Sequence, residues 1–167
     1  MRHRVAFYPC CGPDIERPLD LLRLYADEVI FCDINKTLRP RWQRCLNALR
    51  PPGPRPTFLI GDVRQVISQI TWINVLFYRR DSDGEGGSGM VVLGDSFLPQ
   101  LLQRFASEGG LIITDGPNSR GSNFKQMIRP NGMSKHGWSF RRSSEQPYLE
   151  TDGVYLVTVS PTEAVGG

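Results

Sequence analysis

The sequence is poor in the residues that mark metal centres and phosphate-binding loops. Its 167 residues include four cysteines and two histidines, and no two cysteines have the C-x-x-C spacing of a zinc site. The Gly-Lys-Ser/Thr pattern of a phosphate loop is missing, as is any apolar run long enough to span a bilayer. We therefore expect no metal centre and no membrane association. Cys10, Cys11 and Cys32 are expected to be small buried packing residues, with a redox or nucleophilic role as the alternative.

We expect no secretion signal at the amino terminus. Met-Arg-His-Arg leads directly into a short strand-like run, without an apolar h-region or a cleavage site. The composition, 40% hydrophobic and 22% charged, is ordinary for a globular protein, and the length fits one core. We expect a single domain over residues 1–167, located in the cytoplasm.

Basic residues are unevenly distributed and are mostly arginine. Only three of the 20 basic side chains are lysines. Residues 39–55 and 120–142 are each rich in basic residues and contain no acid. Such stretches can form a surface for nucleic acid or for an acidic protein partner. A solvated basic face, or a coding bias toward arginine, is the simpler explanation, and the sequence leaves both open.

The most informative pattern lies in residues 5–35. An apolar run ends in the turn Cys10 to Asp14, a helical segment around Pro18 follows, and a second apolar run ends at Asp33. This is the layout of a nucleoside-binding βαβ unit, in which an acid at the end of the second strand accepts both ribose hydroxyl protons. Asp33 stands about 20 residues after the turn, as that geometry requires. It is the best single candidate for a ligand-binding residue.

The turn after the first strand argues against a ligand that carries phosphates. It holds one glycine, Gly12, whereas a pyrophosphate needs several backbone N–H groups close to it. Asp14 and Glu16 add negative charge where a phosphate would need positive charge. A cationic adenosine derivative such as S-adenosylmethionine suits the turn better, because its adenosine fits Asp33 and its ammonium group fits Asp14.

Patterns of strand and helix alternate along the rest of the chain. Strands are predicted over 57–60, 73–78, 111–115, 138–142 and 154–159, and helices over 38–49, 63–70, 97–105 and 124–128. The glycine-rich stretch 84–89 is predicted to be a loop, with a lid or an anion-holding nest as functional alternatives to a plain surface loop. Five strands alternating with helices, then two strands joined without a clear helix, indicate a mostly parallel α/β sheet with an antiparallel carboxyl-terminal pair.

This order of elements resembles the class I S-adenosylmethionine-dependent methyltransferase fold, which is Rossmann-like, over nearly the whole chain. The resemblance implies that the turn after the first strand holds the methionine part of the cofactor, with Pro9, Cys10, Gly12 and Asp14. It implies that the exit of the second strand holds adenosine, with Asp33 and Ile34. It further implies that the exit of the third strand contacts the adenine amine, with Gly61, Asp62 and Val63. Tyr78, at the end of the fourth strand, completes the predicted cofactor-binding set.

Each of the three acids in this set also has a simpler structural role open to it. Asp62 precedes a helical run and suits its N-cap, and Asp14 suits the N-cap of the first helix. Asp33 can do no more than end a strand. Together, however, they stand at the exits of three successive strands, which is where an open α/β sheet places its ligand.

The segment after the fourth strand departs from the family pattern. Enzymes that methylate amines on bases usually have Asn or Asp, two prolines and an aromatic residue there, and this chain has Tyr78-Arg79-Arg80-Asp81-Ser82. Base methylation of that kind is therefore not expected. Asp81 or Asp83 is a candidate general base, with Arg79 or Arg80 orienting an anionic substrate, and a solvated loop is the alternative.

Two functions remain open from the sequence. The first is methyl transfer from S-adenosylmethionine to an unidentified acceptor, by proximity and alignment. The second is a degenerate methyltransferase fold that acts as a binding or regulatory protein, with its arginine-rich face on nucleic acid or a protein partner. Fold alone does not choose between them.

Overall fold

A computed structural model describes residues 2–50, 52–79, 92–115 and 124–163 of the chain. They belong to two compact units, Met1–Tyr78 and Arg79–Gly167. Over the described ranges, no helix is both long and apolar enough to cross a bilayer. That the two units make up one domain remains a prediction.

The first unit contains four parallel strands in the order β3-β2-β1-β4. They are β1 (Val5–Pro9), β2 (Glu28–Asp33), β3 (Arg55–Ile60) and β4 (Val75–Tyr78). Every residue of β1 is buried, as expected for an inner parallel strand that is covered on both faces. Pro56 lies in β3, at the end of this strand order, where its missing N–H is tolerated.

The helices of the first unit follow the predicted segments closely. They are α1 (Glu16–Leu22), α2 (Arg39–Ala48) and α3 (Val63–Val66), with 3-10 turns at Lys36–Leu38 and Ile67–Gln69. The Asn35 side chain caps the turn that leads into α2 by accepting the N–H of Thr37 at 3.0 Å. Pro52 and Pro54 follow α2, where proline prevents the helix from continuing.

Aromatic side chains form a row across one face of this unit's sheet. The strand register places Tyr8 beside Phe31 and Phe31 beside Phe58, so their side chains share a face. The ring centroids of Phe31 and Phe58 are 5.4 Å apart, and Phe77 packs edge-on against Tyr8 at 4.8 Å. Trp42 of α2 stacks on Phe58 at 4.7 Å. The row thereby anchors α2 to the sheet.

The second unit contains four strands that pair antiparallel in the order β5-β8-β7-β6. They are β5 (Gly110–Thr114), β6 (Met133–Lys135), β7 (Trp138–Arg142) and β8 (Tyr155–Pro161), and the helices are α4 (Leu98–Leu102), α5 (Phe124–Met127) and α6 (Pro147–Thr151). Parallel strands with helices between them, followed by antiparallel carboxyl-terminal strands, confirm the predicted α/β fold class.

Two short elements of the second unit differ from the sequence prediction. β6 lies in a segment for which the sequence predicts no strand, and α6 stands between two strands predicted to be joined without a helix. β6 and β7 form a hairpin whose turn residues, His136 and Gly137, both have positive φ, 53° and 77°. That is the geometry of a tight type I′ turn. A strand of three residues is too short to show alternation of apolar and polar side chains. The local sequence signal for β6 was therefore the His136-Gly137 turn.

Candidate functional site

The turn after β1 is a tight, left-handed bend. Cys10 and Gly12 have φ of 55° and 56°, a region that costs glycine nothing and strains cysteine. The Cys11 N–H donates to the Cys32 carbonyl at 3.0 Å, which joins the turn to β2. A Cβ atom placed on Gly12 would meet no described atom within 4 Å. The turn therefore has open space beside its only glycine.

Asp33 connects the turn to the exit of β2. Its Oδ2 atom accepts the N–H of Gly12 at 2.8 Å, and its Oδ1 atom accepts the N–H of Asn35 at 2.9 Å. An ionised carboxylate offers about four acceptor positions. Within the described part of the chain two of them are used, and the other two are available for further donors such as hydroxyl groups.

Two aromatic side chains that the sequence analysis did not single out complete the support of the turn. Trp42, which is 2% exposed, donates its indole N–H to the carbonyl oxygen of Gly12 at 3.0 Å. The Tyr8 hydroxyl donates to Oδ2 of Asp14 at 2.8 Å. Helix α1 begins after Ile15 without a side-chain cap, so Asp14 does not serve as its N-cap.

Asp62, at the exit of β3, is engaged by a neighbouring arginine. The carboxylate caps α3 by accepting the N–H of Arg64 at 2.9 Å, and both of its oxygens also accept from the Arg64 guanidinium. These bonds fill its acceptor positions. Hydrogen bonds from Arg64 hold the pKa of Asp62 at about 2. The capping role is thus observed, and a ligand would have to displace Arg64.

The other predicted cofactor residues differ in how accessible they are. Ile34 is 61% exposed directly after Asp33, which is unusual for a large apolar side chain. Pro9, Val63 and Tyr78 are buried at the ends of their elements. The Gly61 N–H donates to the Asp33 carbonyl at 3.0 Å, which continues the β2–β3 ladder. Of this group, Ile34 is the residue that can offer a surface to a ligand.

Cysteine placement confirms the sequence prediction in part. Cys11 and Cys32 are buried as expected, whereas Cys10 is exposed, contrary to the prediction, because the left-handed turn directs it outward. Burial, together with nearby thiols and carboxylates, raises the pKa of Cys32 to about 12, and burial also raises the pKa of Cys11. Both thiols are therefore protonated at neutral pH and are poor nucleophiles. Across the described ranges, no group of His, Cys, Asp and Glu has the arrangement of a metal site.

The site is negatively charged. Asp14, Asp33 and Asp62 lie at the carboxyl ends of neighbouring strands or in the turn between them, and Arg64 offsets one of these charges. Such a field favours a cationic ligand. The predicted catalytic residues Arg80, Asp81 and Asp83 and the glycine-rich stretch 84–89 lie outside the described residues.

Comparison with solved structures shows that the chain has a known fold. The whole chain superposes on 41% of a phosphoethanolamine N-methyltransferase 1 from Haemonchus contortus, in complex with phosphoethanolamine and S-adenosylhomocysteine, with a TM-score of 0.55 and 13% identity. An rRNA methylase from Streptococcus thermophilus matches with a TM-score of 0.57 and 11% identity, covering 96% of this chain and 88% of that one.

The chain has the class I S-adenosylmethionine-dependent methyltransferase fold. A spermidine synthase in complex with the transition state analogue AdoDATO shares that fold, with a TM-score of 0.55, 12% identity, and coverage of 95% of this chain and 55% of that one. No protein-family model and no curated protein matches the sequence. The methyltransferase fold predicted from the order of elements is thereby confirmed, and the reaction is a separate question.

Proposed function

We propose that this chain binds S-adenosylmethionine at the carboxyl ends of β1, β2 and β3 and transfers its methyl group to an acceptor that remains to be identified. The observation that carries this proposal is the position of Asp33. Its carboxylate stands at the end of β2, bonded to the N–H of Gly12, with two acceptor positions left for the ribose hydroxyls. We place the activity in the cytoplasm.

The residues around Asp33 supply the other contacts that the cofactor needs. Exposed Ile34 offers an apolar surface to the adenine ring. The turn at Cys10 and Gly12 receives the methionine part, and Asp14, held by the Tyr8 hydroxyl, accepts its ammonium group. Asp62 accepts the adenine amine once Arg64 releases one of its bonds. Pro9, Gly61, Val63 and Tyr78 pack behind these contacts.

When bound, S-adenosylmethionine supplies a methyl group on a positively charged sulfur, and the acceptor's lone pair takes the methyl while the sulfur keeps the bonding electrons. This chain's own contribution is to align the acceptor with that methyl group and to exclude water. Asp81 or Asp83 removes the proton that the acceptor loses, and Arg80 orients an anionic acceptor. These three assignments come from the sequence alone.

Calorimetric titration with S-adenosylhomocysteine and with its 2′-deoxy analogue, on the wild type and on Asp33→Asn, tests the ribose contact. The asparagine keeps the shape but replaces one acceptor oxygen with a donor. We expect wild type to bind the parent ligand about tenfold more tightly than the analogue, and Asp33→Asn to lose that preference. Comparing the two ligands within each variant separates the ribose contact from any loosening of the turn.

Asp27→Asn is the matched control, because Asp27 precedes the opposite end of the same strand and bonds to Arg4. It should keep the wild-type preference for the parent ligand. A folded wild type that binds neither S-adenosylmethionine nor S-adenosylhomocysteine would overturn the proposal, as would an unchanged preference in Asp33→Asn.

A second function is favoured by one observation. Arg64 fills the acceptor positions of Asp62, which is what a site that no longer takes a ligand would show. The alternative is a degenerate methyltransferase fold that acts as a binding or regulatory protein on nucleic acid or an acidic protein. A folded protein that binds neither S-adenosylmethionine nor S-adenosylhomocysteine would favour this second function.

A further inference from the structure

Five basic side chains lie on and beside α2, and we call them the α2 basic surface: Lys36, Arg39, Arg41, Arg44 and Arg50. All five are exposed, and residues 36–50 contain no acid. Within the described part of the chain, none of the five forms an ion pair. The surface is therefore a concentration of uncompensated positive charge.

Other arginines of the same unit behave differently. Arg4 pairs with Asp27, Arg23 with Asp20, and Arg55 with Glu28. Arg50 lines a space together with Glu16 and Asp20 of α1, and Glu16 also lines a space of about 420 Å³ together with Arg41 and Arg44. Glu16 forms no ion pair with either arginine, so it balances only part of their charge.

Helix stability does not account for the charge at the start of the helical segment, on Lys36, Arg39 and Arg41. The helical segment begins at Lys36, and the first turn of α2 holds no acidic residue. Cations near a helix amino terminus face the positive end of the helix dipole and are unfavourable there. A bound anion would be attracted by both the side chains and the dipole, so the arrangement suits an anionic partner.

The absence of exposed apolar side chains narrows the kind of partner. The large exposed hydrophobic residues of the described ranges are Leu24, Ile34 and Tyr148, and none of them belongs to residues 36–50. Trp42 of α2 is buried. A protein interface needs an apolar core, and a membrane-bound helix needs an exposed apolar face. Guanidinium groups, by contrast, suit phosphates, which they bind with paired hydrogen bonds.

Among the four basic side chains that the structure describes in the second acid-free stretch, residues 120–142, two are paired with acids. Lys135 pairs with Asp95, and Arg142 pairs with Glu150. Arg142 also lies over the Tyr155 ring, 4.4 Å from its centroid. The sequence treats the two stretches alike, whereas ion pairs compensate two of the four described cations of the second stretch and none of the five in the α2 basic surface.

We propose that the α2 basic surface binds the phosphate backbone of a nucleic acid, without base specificity. The inference stands on the charge and exposure of α2 and does not depend on the cofactor site. The first cation, Lys36, follows Asp33 by three residues, so the bound strand would begin beside the exit of β2. This places a nucleic acid next to the proposed methyl-transfer site.

Fluorescence anisotropy with labelled poly(U), over a range of salt concentrations, tests the proposal. We expect binding at low salt, with a logarithmic salt slope of about 0.7 for each phosphate that is contacted. The double variant Arg41→Gln/Arg44→Gln should bind on the order of tenfold more weakly and lower the slope by about 1.4. Because both side chains are exposed, we expect the variant to fold. Its thermal unfolding, compared with that of wild type, checks this.

The matched control is Arg129→Gln/Arg141→Gln, which removes the same charge from exposed positions of the second basic stretch. It should keep wild-type affinity and slope. An equal loss in the control would show nonspecific attraction by net charge and overturn the proposal. So would an absence of poly(U) binding at low salt, or displacement of poly(U) by poly-glutamate as effectively as by unlabelled poly(U). A separate titration with S-adenosylhomocysteine reports on the cofactor site whichever result is found.

Discussion

The indole N–H of Trp42 donates a 3.0 Å hydrogen bond to the carbonyl oxygen of Gly12, while the N–H of the same glycine is held by Asp33. Both polar groups of this peptide residue are thus engaged, one from α2 and one from β2. Trp42 is in turn fixed by stacking on Phe58, with 16° between the ring planes. The shape of the turn after β1 therefore depends on a helix that comes later in the chain.

Replacing Trp42 by phenylalanine tests that dependence. Trp42→Phe retains an aromatic ring against Phe58 but leaves the Gly12 carbonyl without its donor. We expect unfolding free energy to fall by about 1 kcal/mol, and affinity for S-adenosylhomocysteine to fall several-fold because the turn is less well held. Urea unfolding and calorimetric titration measure the two effects.

The control for this change is Trp138→Phe, since Trp138 packs against Phe105 in the second unit. Its affinity for S-adenosylhomocysteine should equal that of wild type. If Trp42→Phe binds the ligand as tightly as wild type, the Trp42 hydrogen bond has no part in positioning the turn.

Cys10 holds a backbone conformation that favours glycine. Its φ of 55° lies in the left-handed region, which costs an L-residue about 1–2 kcal/mol, whereas the added freedom of glycine in the unfolded chain costs about 0.4–1 kcal/mol. We therefore expect Cys10→Gly to stabilise the protein by about 0.5–1 kcal/mol. Cys45→Gly, the same change inside α2, should destabilise it. Urea unfolding measures both changes. If Cys10→Gly and Cys45→Gly destabilise the protein equally, the backbone at Cys10 is not strained.

Acid should destabilise the protein through a small set of paired carboxylates. Hydrogen bonds from Arg4 and Arg64 lower the pKa of Asp27 and Asp62 to about 2. Burial opposes ionisation of Glu28, but the hydrogen bonds that it accepts outweigh burial and lower its pKa to about 2. In the unfolded chain these groups regain pKa values near 4, so the unfolded state binds more protons at acidic pH.

Their contribution is therefore complete above about pH 5 and is lost as the pH falls toward about 2. Urea unfolding at a series of pH values should show stability decreasing through that window. Glu28→Gln should be less stable than wild type at neutral pH and should lose less stability on acidification. An identical pH dependence in Glu28→Gln and wild type would mean that Glu28 is not linked to unfolding.

The elements of the first unit were predictable because their signals are local. β2 is a continuous apolar run, the helix over 38–49 stops at a proline-rich segment, and Asp62 precedes its helix as a capping residue does. In the second unit, β6 and α6 were missed because elements of three and five residues are too short for periodicity. Their existence depends on pairing with β7 and on packing within the second unit.

The sequence by itself determined the class of the fold, the order of its main elements and the acids at the exits of β2 and β3. Hydrophobic periodicity and the ends of strands can be recognised from short segments of sequence. The contact of Asp62 with Arg64 is local as well, since the two residues stand two positions apart. Only the tertiary structure decided that Asp33 accepts a hydrogen bond from Gly12 in the turn after β1. It also decided that Trp42 supports the turn and that the α2 cations stand uncompensated. Hydrogen bonds and charge balance between distant segments depend on three-dimensional proximity, which no local pattern specifies.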